Sequence, residues 1–344
     1  MSDASEAPCV AGSFGMTTTF AVPTIDDIRA AAARIAPHAA VTPLLHSPAL
    51  DAAAGGTVLL KAEVLQHTGS FKLRGALNRL LQIEPHARAG GVVAFSSGNH
   101  GQAVAFSATL LGMPSVIVMP KDAPPIKIER TRAFGAEVVL YDRYTEDRVA
   151  IGRSIAAERG ATVVPPFEDP YVVTGQGTLA LEALTQASAM GYVPDAMLVC
   201  CGGGGLLAGC ALAAEAVSPR TVVHSCEPEL FDDTARSLEA GHRVSNDPAH
   251  RSICDAIVTP EPGEFTFSIN QPRVGRGLRV SDDEVLRAIA FAVRELKLVV
   301  EPGGAAALAA LLAGRIETAG RTTLVVTTGG NIDPGILSRA LSFS

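Results

Sequence analysis

The sequence predicts an α/β fold of two lobes, each an open, mostly parallel sheet with helices on both faces. Short apolar runs alternate with amphipathic stretches from about residue 57 to the end. The runs lack polar alternation, as strands buried on both faces do. The chain's 344 residues, 47% of them hydrophobic, exceed one ordinary core and suit about two units of ~150 residues.

Taken in order, the runs at 58–60, 91–95, 115–119 and 138–140 read as strands. Each precedes a helical stretch, at 70–81, 101–111, 126–134 and 145–159. Beyond residue 163 the pattern resumes as helix 175–189, strand 196–200, helix 206–216 and strand 221–226. Helices over 282–296 and 304–312 and a strand over 322–326 close the series. Pro165, Pro166 and Pro170 cluster around Phe167, Glu168 and Asp169 and mark the best crossing between lobes. The expected division is 23–82 with 170–344 for the large domain and 83–169 for the small one. Residues 230–272, rich in Pro, Asp and Gly without periodic pattern, are expected to wrap the surface. Residues 1–22 read as a disordered tail without the basic start and apolar stretch of a secretory signal. Met1 and Met16 both stand as starts.

Lys and Arg number 28 and Asp and Glu 35, a net charge of −7. That balance favours solubility and offers no field to attract nucleic acid or anionic membrane. No apolar run reaches the ~18 residues of a membrane span. Cys9, Cys200, Cys201, Cys210, Cys226 and Cys254 form no C-x-x-C pair and sit mostly in apolar runs. Buried thiols in a reducing, cytoplasmic setting follow.

Four glycine-marked turns follow predicted strands or open helices, where α/β sheets gather their ligands. Thr68-Gly69-Ser70-Phe71-Lys72-Leu73-Arg74-Gly75 puts a lysine in the first turn of a helix. The helix dipole opposes a cation there, and a partly buried lysine so opposed loses its proton easily and becomes a nucleophile. A surface lysine on an amphipathic helix is the plainer alternative. Ser96-Ser97-Gly98-Asn99-His100-Gly101 offers backbone N–H groups, two hydroxyls and an amide to a carboxylate. An ordinary capped turn would explain one of those polar residues. Gly202-Gly203-Gly204-Gly205 lets a backbone close on tetrahedral oxygens at a helix N-terminus. It lacks the Lys-Ser/Thr ending of a P-loop and the spacing of a dinucleotide fingerprint. Thr327-Thr328-Gly329-Gly330-Asn331 presents a hydroxyl suited to a ring nitrogen.

In this order the motifs resemble those of fold-type II pyridoxal 5'-phosphate (PLP) enzymes, within the serine/threonine dehydratase and serine racemase group. The likeness runs from about residue 25 to 338 and includes Gly175-Gln176-Gly177-Thr178 and Glu301-Pro302. The resemblance implies a tryptophan synthase β-like fold. It implies that Lys72 carries PLP, that Phe71 packs by the ring and that Asn99 bonds the ring hydroxyl. It places Gly202, Gly203, Gly204, Gly205 and Leu206 at the phosphate, with Glu301 also at the cofactor. Thr328 stands where the group usually has a serine facing the pyridine nitrogen. Ser96, Ser97, Gly98, Asn99 and His100 would take the substrate carboxylate, and Ser97 matches the opposite-face acid/base of racemases. Lys72 and Ser97 are thus the expected catalytic pair.

The resemblance further implies an Mg or Ca site at Glu227, the Phe231 carbonyl and Asp233, hard oxygen donors that suit such ions. A solvated acidic turn is the alternative, and Phe231 replaces the small residue usual there. The expected function is dehydration and deamination of a β-hydroxy-α-amino acid to a 2-keto acid and ammonia, by a homodimer. Threonine, serine, 3-hydroxyaspartate and phenylserine all fit the motifs. Racemisation on the same site and PLP binding without catalysis are the competing readings. An NAD oxidoreductase is disfavoured, since no G-x-G-x-x-G follows an early strand. Relatives tend to have histidine where Pro165 or Pro166 stands, which points to a pocket rim not shaped for plain threonine. The chain ends soon after the fourth motif, so no regulatory domain is expected.

Overall fold

The computed structural model describes residues 20–343 other than 97, 124 and 143. Ser97, Met16, Cys9 and the expected tail as far as residue 19 lie outside the described residues. The chain runs α1 (Ile25–Ile35), β1 (Leu44–His46), α2 (Pro48–Ala54), β2 (Thr57–Ala62), α3 (Lys72–Leu81), β3 (Val92–Phe95), α4 (Asn99–Leu110), β4 (Ser115–Pro120) and α5 (Pro125–Ala133). It continues through β5 (Glu137–Tyr141), α6 (Arg148–Arg159), β6 (Thr162–Val163), α7 (Pro170–Ala189), β7 (Ala196–Cys200), α8 (Gly205–Val217) and β8 (Val222–Pro228). Last come α9 (Asp233–Ala240), α10 (Glu264–Asn270), β9 (Gly277–Val280), α11 (Asp282–Phe291), α12 (Pro302–Leu312), β10 (Thr322–Thr327) and α13 (Pro334–Ser342).

The strands form a six-stranded sheet ordered β1-β2-β10-β7-β8-β9 and a four-stranded sheet ordered β5-β4-β3-β6. Neighbours pair in parallel except β1 with β2. Alternate residues of the larger sheet feed two cores. Leu60, Leu198, Cys200 and Val325 pack with α11 and α12, and Met197, Val199, Leu324 and Val326 with α7 and α8. In the smaller sheet Ala94 and Ile117 pack with α4, and Val93 and Val118 with α6. Both sheets therefore carry helices on both faces, as the unbroken apolar strands require. Among the described residues no helix is long and apolar enough to cross a membrane.

Several boundaries differ from the sequence reading for local reasons. Helix α7 starts at Pro170, ahead of the expected 175, because Asp169 accepts from the Tyr171 and Val172 amides and proline takes the first helical position. The helix expected over 282–296 closes as α11 at Phe291, and a wider π-type turn over 292–296 ends on Lys297 at φ 60°. Strand β1 has three residues and α2 and α10 seven each, too short for a period to be read. Residues 230–272 do more than wrap the surface, since Thr266, Phe267, Ile269 and Asn270 of α10 are buried. Within the expected tail, Phe20 sets its ring edge-on to Phe265 at 5.4 Å.

The Gly175 to Thr178 motif has a packing origin. A Cβ at Gly175 would stand 2.6 Å from the Arg74 carbonyl oxygen and from the Gly75 Cα. One at Gly209 would stand 2.5 Å from the Gly177 nitrogen. Helix α7 therefore touches α3 and α8 backbone to backbone, and α3 begins with Lys72.

Candidate active site

The four glycine-marked turns gather around the start of α3. Phe71 N donates to Thr328 O at 3.0 Å and Gly330 N to Gly69 O at 2.9 Å. With the bridge between Ser70 and Gly329, these bonds tie the segment leading into Lys72 to the segment after β10. Phe71 packs against the core shared with α7 and α8.

Lys72 is partly buried, and burial pulls its ammonium down to about 8. Its Nζ donates to Pro166 O at 2.9 Å and lies 5.2 Å from the Phe71 ring centroid. His100 Nε2 bonds Val164 O at 2.9 Å, so that nitrogen carries the proton and Nδ1 is a buried acceptor without a partner among the described residues. Burial, and then the Lys72 charge, push His100 down to about 3, so the imidazole is neutral at pH 7.

The proline-rich crossing thus supplies the carbonyls of both contacts, and it reaches further. A Cβ at Gly203 would stand 2.4 Å from the Phe167 ring, so glycine is required there. Glu168 accepts from the Phe265 and Thr266 amides at the start of α10. Helix α10 in turn holds the Gly202 to Gly205 turn, with Thr266 Oγ1 donating to Gly203 O at 2.6 Å and Asn270 Nδ2 to Gly204 O at 3.3 Å. Gly204 sits at φ +89°, and a Cβ there would come within 2.9 Å of Thr266 and Asn270. With those carbonyls engaged, the amides of the turn and of the first turn of α8, ending at Leu206, are the groups left to bind an anion.

Asn99 begins α4 and spans to the larger sheet. Its Nδ2 donates to Glu301 Oε1 at 2.5 Å, and its Oδ1 accepts from Asn331 Nδ2 at 2.7 Å. Burial raises Glu301 to about 7, against the Asn99 bond; the Asp255 charge raises it further and Lys127 lowers it. A Cβ on Gly329 would stand 2.1 Å from Glu301 Oε1, so the fourth turn needs its glycine. Thr328 is buried with its hydroxyl beside the Cys200 thiol, which burial pushes up to about 11. Ser96 Oγ accepts from Gly98 N at 3.2 Å, and a Cβ on Gly98 would meet nothing within 4 Å. The turn therefore opens onto free space at the N-terminus of α4.

Arg74, two residues past Lys72, has a role that its motif alone does not reveal. It is buried between Glu63, bonded at 2.8 Å through both Nε and Nη2, and Glu182, bonded at 3.0 and 3.1 Å. Lys61 reaches Glu182 and Gln186 in the same cluster. These bonds join the first turn of α3 to Glu63 and to α7, and removing either acid would leave a buried charge less well paired. Only its adjacency to Lys72 was readable in sequence.

Glu227 and Asp233 are buried together at the junction of β8 and α9. Glu227 accepts from the Thr234 and Ala235 amides at 2.9 Å each, and Asp233 from Asn246 Nδ2 at 2.6 Å. Burial, and then the Asp233 charge, raise Glu227, and burial raises Asp233 to about 7. The Phe231 ring lies edge-on to His250 at 6.5 Å. Among the described residues no three His, Cys, Asp or Glu side chains gather as a metal-ligand group.

Residues 35–329 match the family described as pyridoxal-phosphate dependent enzymes. An L-threo-3-hydroxyaspartate ammonia-lyase from Pseudomonas sp is 45% identical over 308 residues, 89% of this chain and 95% of that protein. A serine racemase from Schizosaccharomyces pombe is 40% identical over 318 residues, 92% of this chain and 97% of its own length. The crystal structure of a threonine deaminase from T.th. superposes with a TM-score of 0.85 at 45% identity, covering 90% of this chain and 99% of that one.

Proposed function

Because the chain belongs to the family of pyridoxal-phosphate dependent enzymes, we propose that it is an ammonia-lyase acting on a β-hydroxy-α-amino acid. The α-hydrogen and β-hydroxyl leave as water. The enamine so formed takes a proton at Cβ to become an imine, and water then adds at Cα and expels ammonia, leaving a 2-keto acid. One observation carries the assignment: Lys72 opens a helix with its ammonium on a carbonyl and burial lowering it to about 8.

The residues present fit the cofactor. The turn at Gly202 to Gly205 is a cradle that side chains would fill, and its amides and that of Leu206 would hold the phosphate. Phe71 would pack by the ring, and Asn99 and Glu301 would stand at its hydroxyl. Thr328 would face the pyridine nitrogen. When bound, PLP supplies an electron sink for the charge left as the α-proton departs. Lys72 anchors the cofactor and then takes that proton at Nζ. The turn from Ser96 through Ser97, Gly98 and Asn99 to His100 orients the substrate carboxylate at the α4 N-terminus. Neutral His100 adds no charge there.

Racemisation on the same site is the second reading, favoured by the serine racemase relative; Ser97 would serve the opposite face. We propose Mg or Ca at Glu227, the Phe231 carbonyl and Asp233, where two carboxylates are buried together. We also infer a cytoplasmic homodimer. The larger domain would be built from 23–82 and 170–344 around the six-stranded sheet, the smaller from 83–169 around the four-stranded one.

The test is a panel of serine, threonine, 3-hydroxyaspartate and phenylserine, scored for keto acid, ammonia and D-isomer. Equal keto acid and ammonia from at least one is expected. D-isomer without keto acid would replace elimination by racemisation. Borohydride reduction and peptide mapping should place the pyridoxyl group on Lys72.

A further inference from the structure

Helix α5 of the four-stranded sheet lies across the site toward the larger sheet. Lys127 Nζ reaches Asp255 Oδ2 at 2.6 Å, and Arg130, one turn on, reaches Asn331 Oδ1 at 3.4 Å. Both partners belong to the site. Asn331 bonds Asn99. Asp255 stands two residues before Ile257, whose backbone would meet a Cβ on Gly202 at 3.1 Å. The charges of Lys127 and Asp255 are both felt at Glu301. Lys127 therefore points from one sheet at the wall of the cleft formed by the other.

The two members of the pair differ in exposure. The Lys127 side chain is 17% exposed and that of Asp255 56%. An ion pair with one member so wet contributes little, and its carboxylate exchanges for another at small cost. The lysine is the sheltered half and already donates to a carboxylate at hydrogen-bonding distance. Neutral His100 offers no competing charge, and Lys72 is engaged at Pro166 O.

We propose that Lys127 is a specificity-determining residue that binds the second carboxylate of a β-hydroxy dicarboxylic amino acid, displacing Asp255. The inference rests on the ammonia-lyase reading and names its substrate class. Asn99 at the α4 N-terminus is linked through Asn331 to Arg130 of α5, so a four-carbon diacid held there by its α-carboxylate would turn its far carboxylate to α5. A threonine methyl or a serine hydrogen gives the ammonium nothing to pair with.

The test uses holoenzyme, wild type and the variants Lys127→Gln, Lys127→Arg and Asp255→Asn. Keto acid is measured from L-threo-3-hydroxyaspartate and from L-serine, and succinate is titrated by calorimetry as a diacid that cannot react. Lys127→Gln is expected to lower the hydroxyaspartate-to-serine ratio of kcat/KM by about 10- to 100-fold, chiefly through KM, and to weaken succinate binding by a similar factor. Lys127→Arg should recover most of both, and Asp255→Asn should tighten succinate by about 2- to 5-fold. A folded Lys127→Gln with ratio and succinate affinity within about twofold of wild type would overturn the proposal. Should that variant not fold, unchanged succinate binding in Asp255→Asn would overturn it. If no substrate gives keto acid, the ammonia-lyase reading fails, while the succinate titration still decides the role of Lys127.

Discussion

At the scale of single residues, burial moves the Glu301 carboxyl up toward neutral pH. Burial raises it from 4.5 to about 7. A carboxyl whose folded value lies above its unfolded one stabilises the fold fully below the unfolded value. That contribution is lost as pH rises through about 7. Glutamine keeps an oxygen for the Asn99 amide and never ionises. In protein free of cofactor, Glu301→Gln should therefore gain on wild type as pH goes from 5 to 9, by about 1–3 kcal/mol at the upper end. Melting temperatures of both proteins at pH 5, 7 and 9 check this. Curves that stay parallel would show that Glu301 is solvated after all.

At the scale of elements, the turns were legible because a glycine shows where no side chain fits. Gly203 faces the Phe167 ring and Gly329 faces Glu301, each too close for a Cβ. Gly204 adds a positive φ. Gly204→Ala should cost about 1–3 kcal/mol and lower the melting temperature, since the residue must strain as well as push on Thr266 and Asn270. Equilibrium dialysis of PLP against this variant should give weaker binding than wild type. The strands were legible from unbroken apolar runs, and the layering with them. What sits on those elements was not. Arg74 meets Glu182 across 108 positions and Lys127 meets Asp255 across 128. No local pattern encodes such pairs, because the sheet order that brings them together is a property of the folded chain. Helix α10 escaped for the opposite reason: seven residues hold too little period to read, although they brace the phosphate-type turn.

For the molecule as a whole, the site is where the two sheets are joined. Asn99, Lys127 and Arg130 come from the side of the four-stranded sheet, and Glu301, Asp255 and Asn331 answer from the other. The crossing at 164–168 threads between them with His100, Lys72 and Gly203 along its length. The Glu227–Asp233 pair stands behind this junction, and its charges reach Cys201, next to Gly202. Asp233 has its folded value raised to about 7, so without a cation the pair's support of the fold is lost as pH rises through 7. At pH 8, chelator should lower the melting temperature and added Mg or Ca should restore it. At pH 5 the same additions should matter less. Equal melting temperatures with and without chelator at pH 8 would leave the pair as a cap for α9 alone.

The tie between Phe71 and Thr328 runs from amide to carbonyl, and Thr328 N bonds Gly304 O. Neither contact uses the threonine hydroxyl. The side chain at 328, buried beside the Cys200 thiol, can therefore exchange for another of similar size while the backbone tie to Phe71 stays in place. On the proposed function that side chain would face the ring nitrogen, so a single heritable substitution of like size there would alter the chemistry and leave the scaffold as it is.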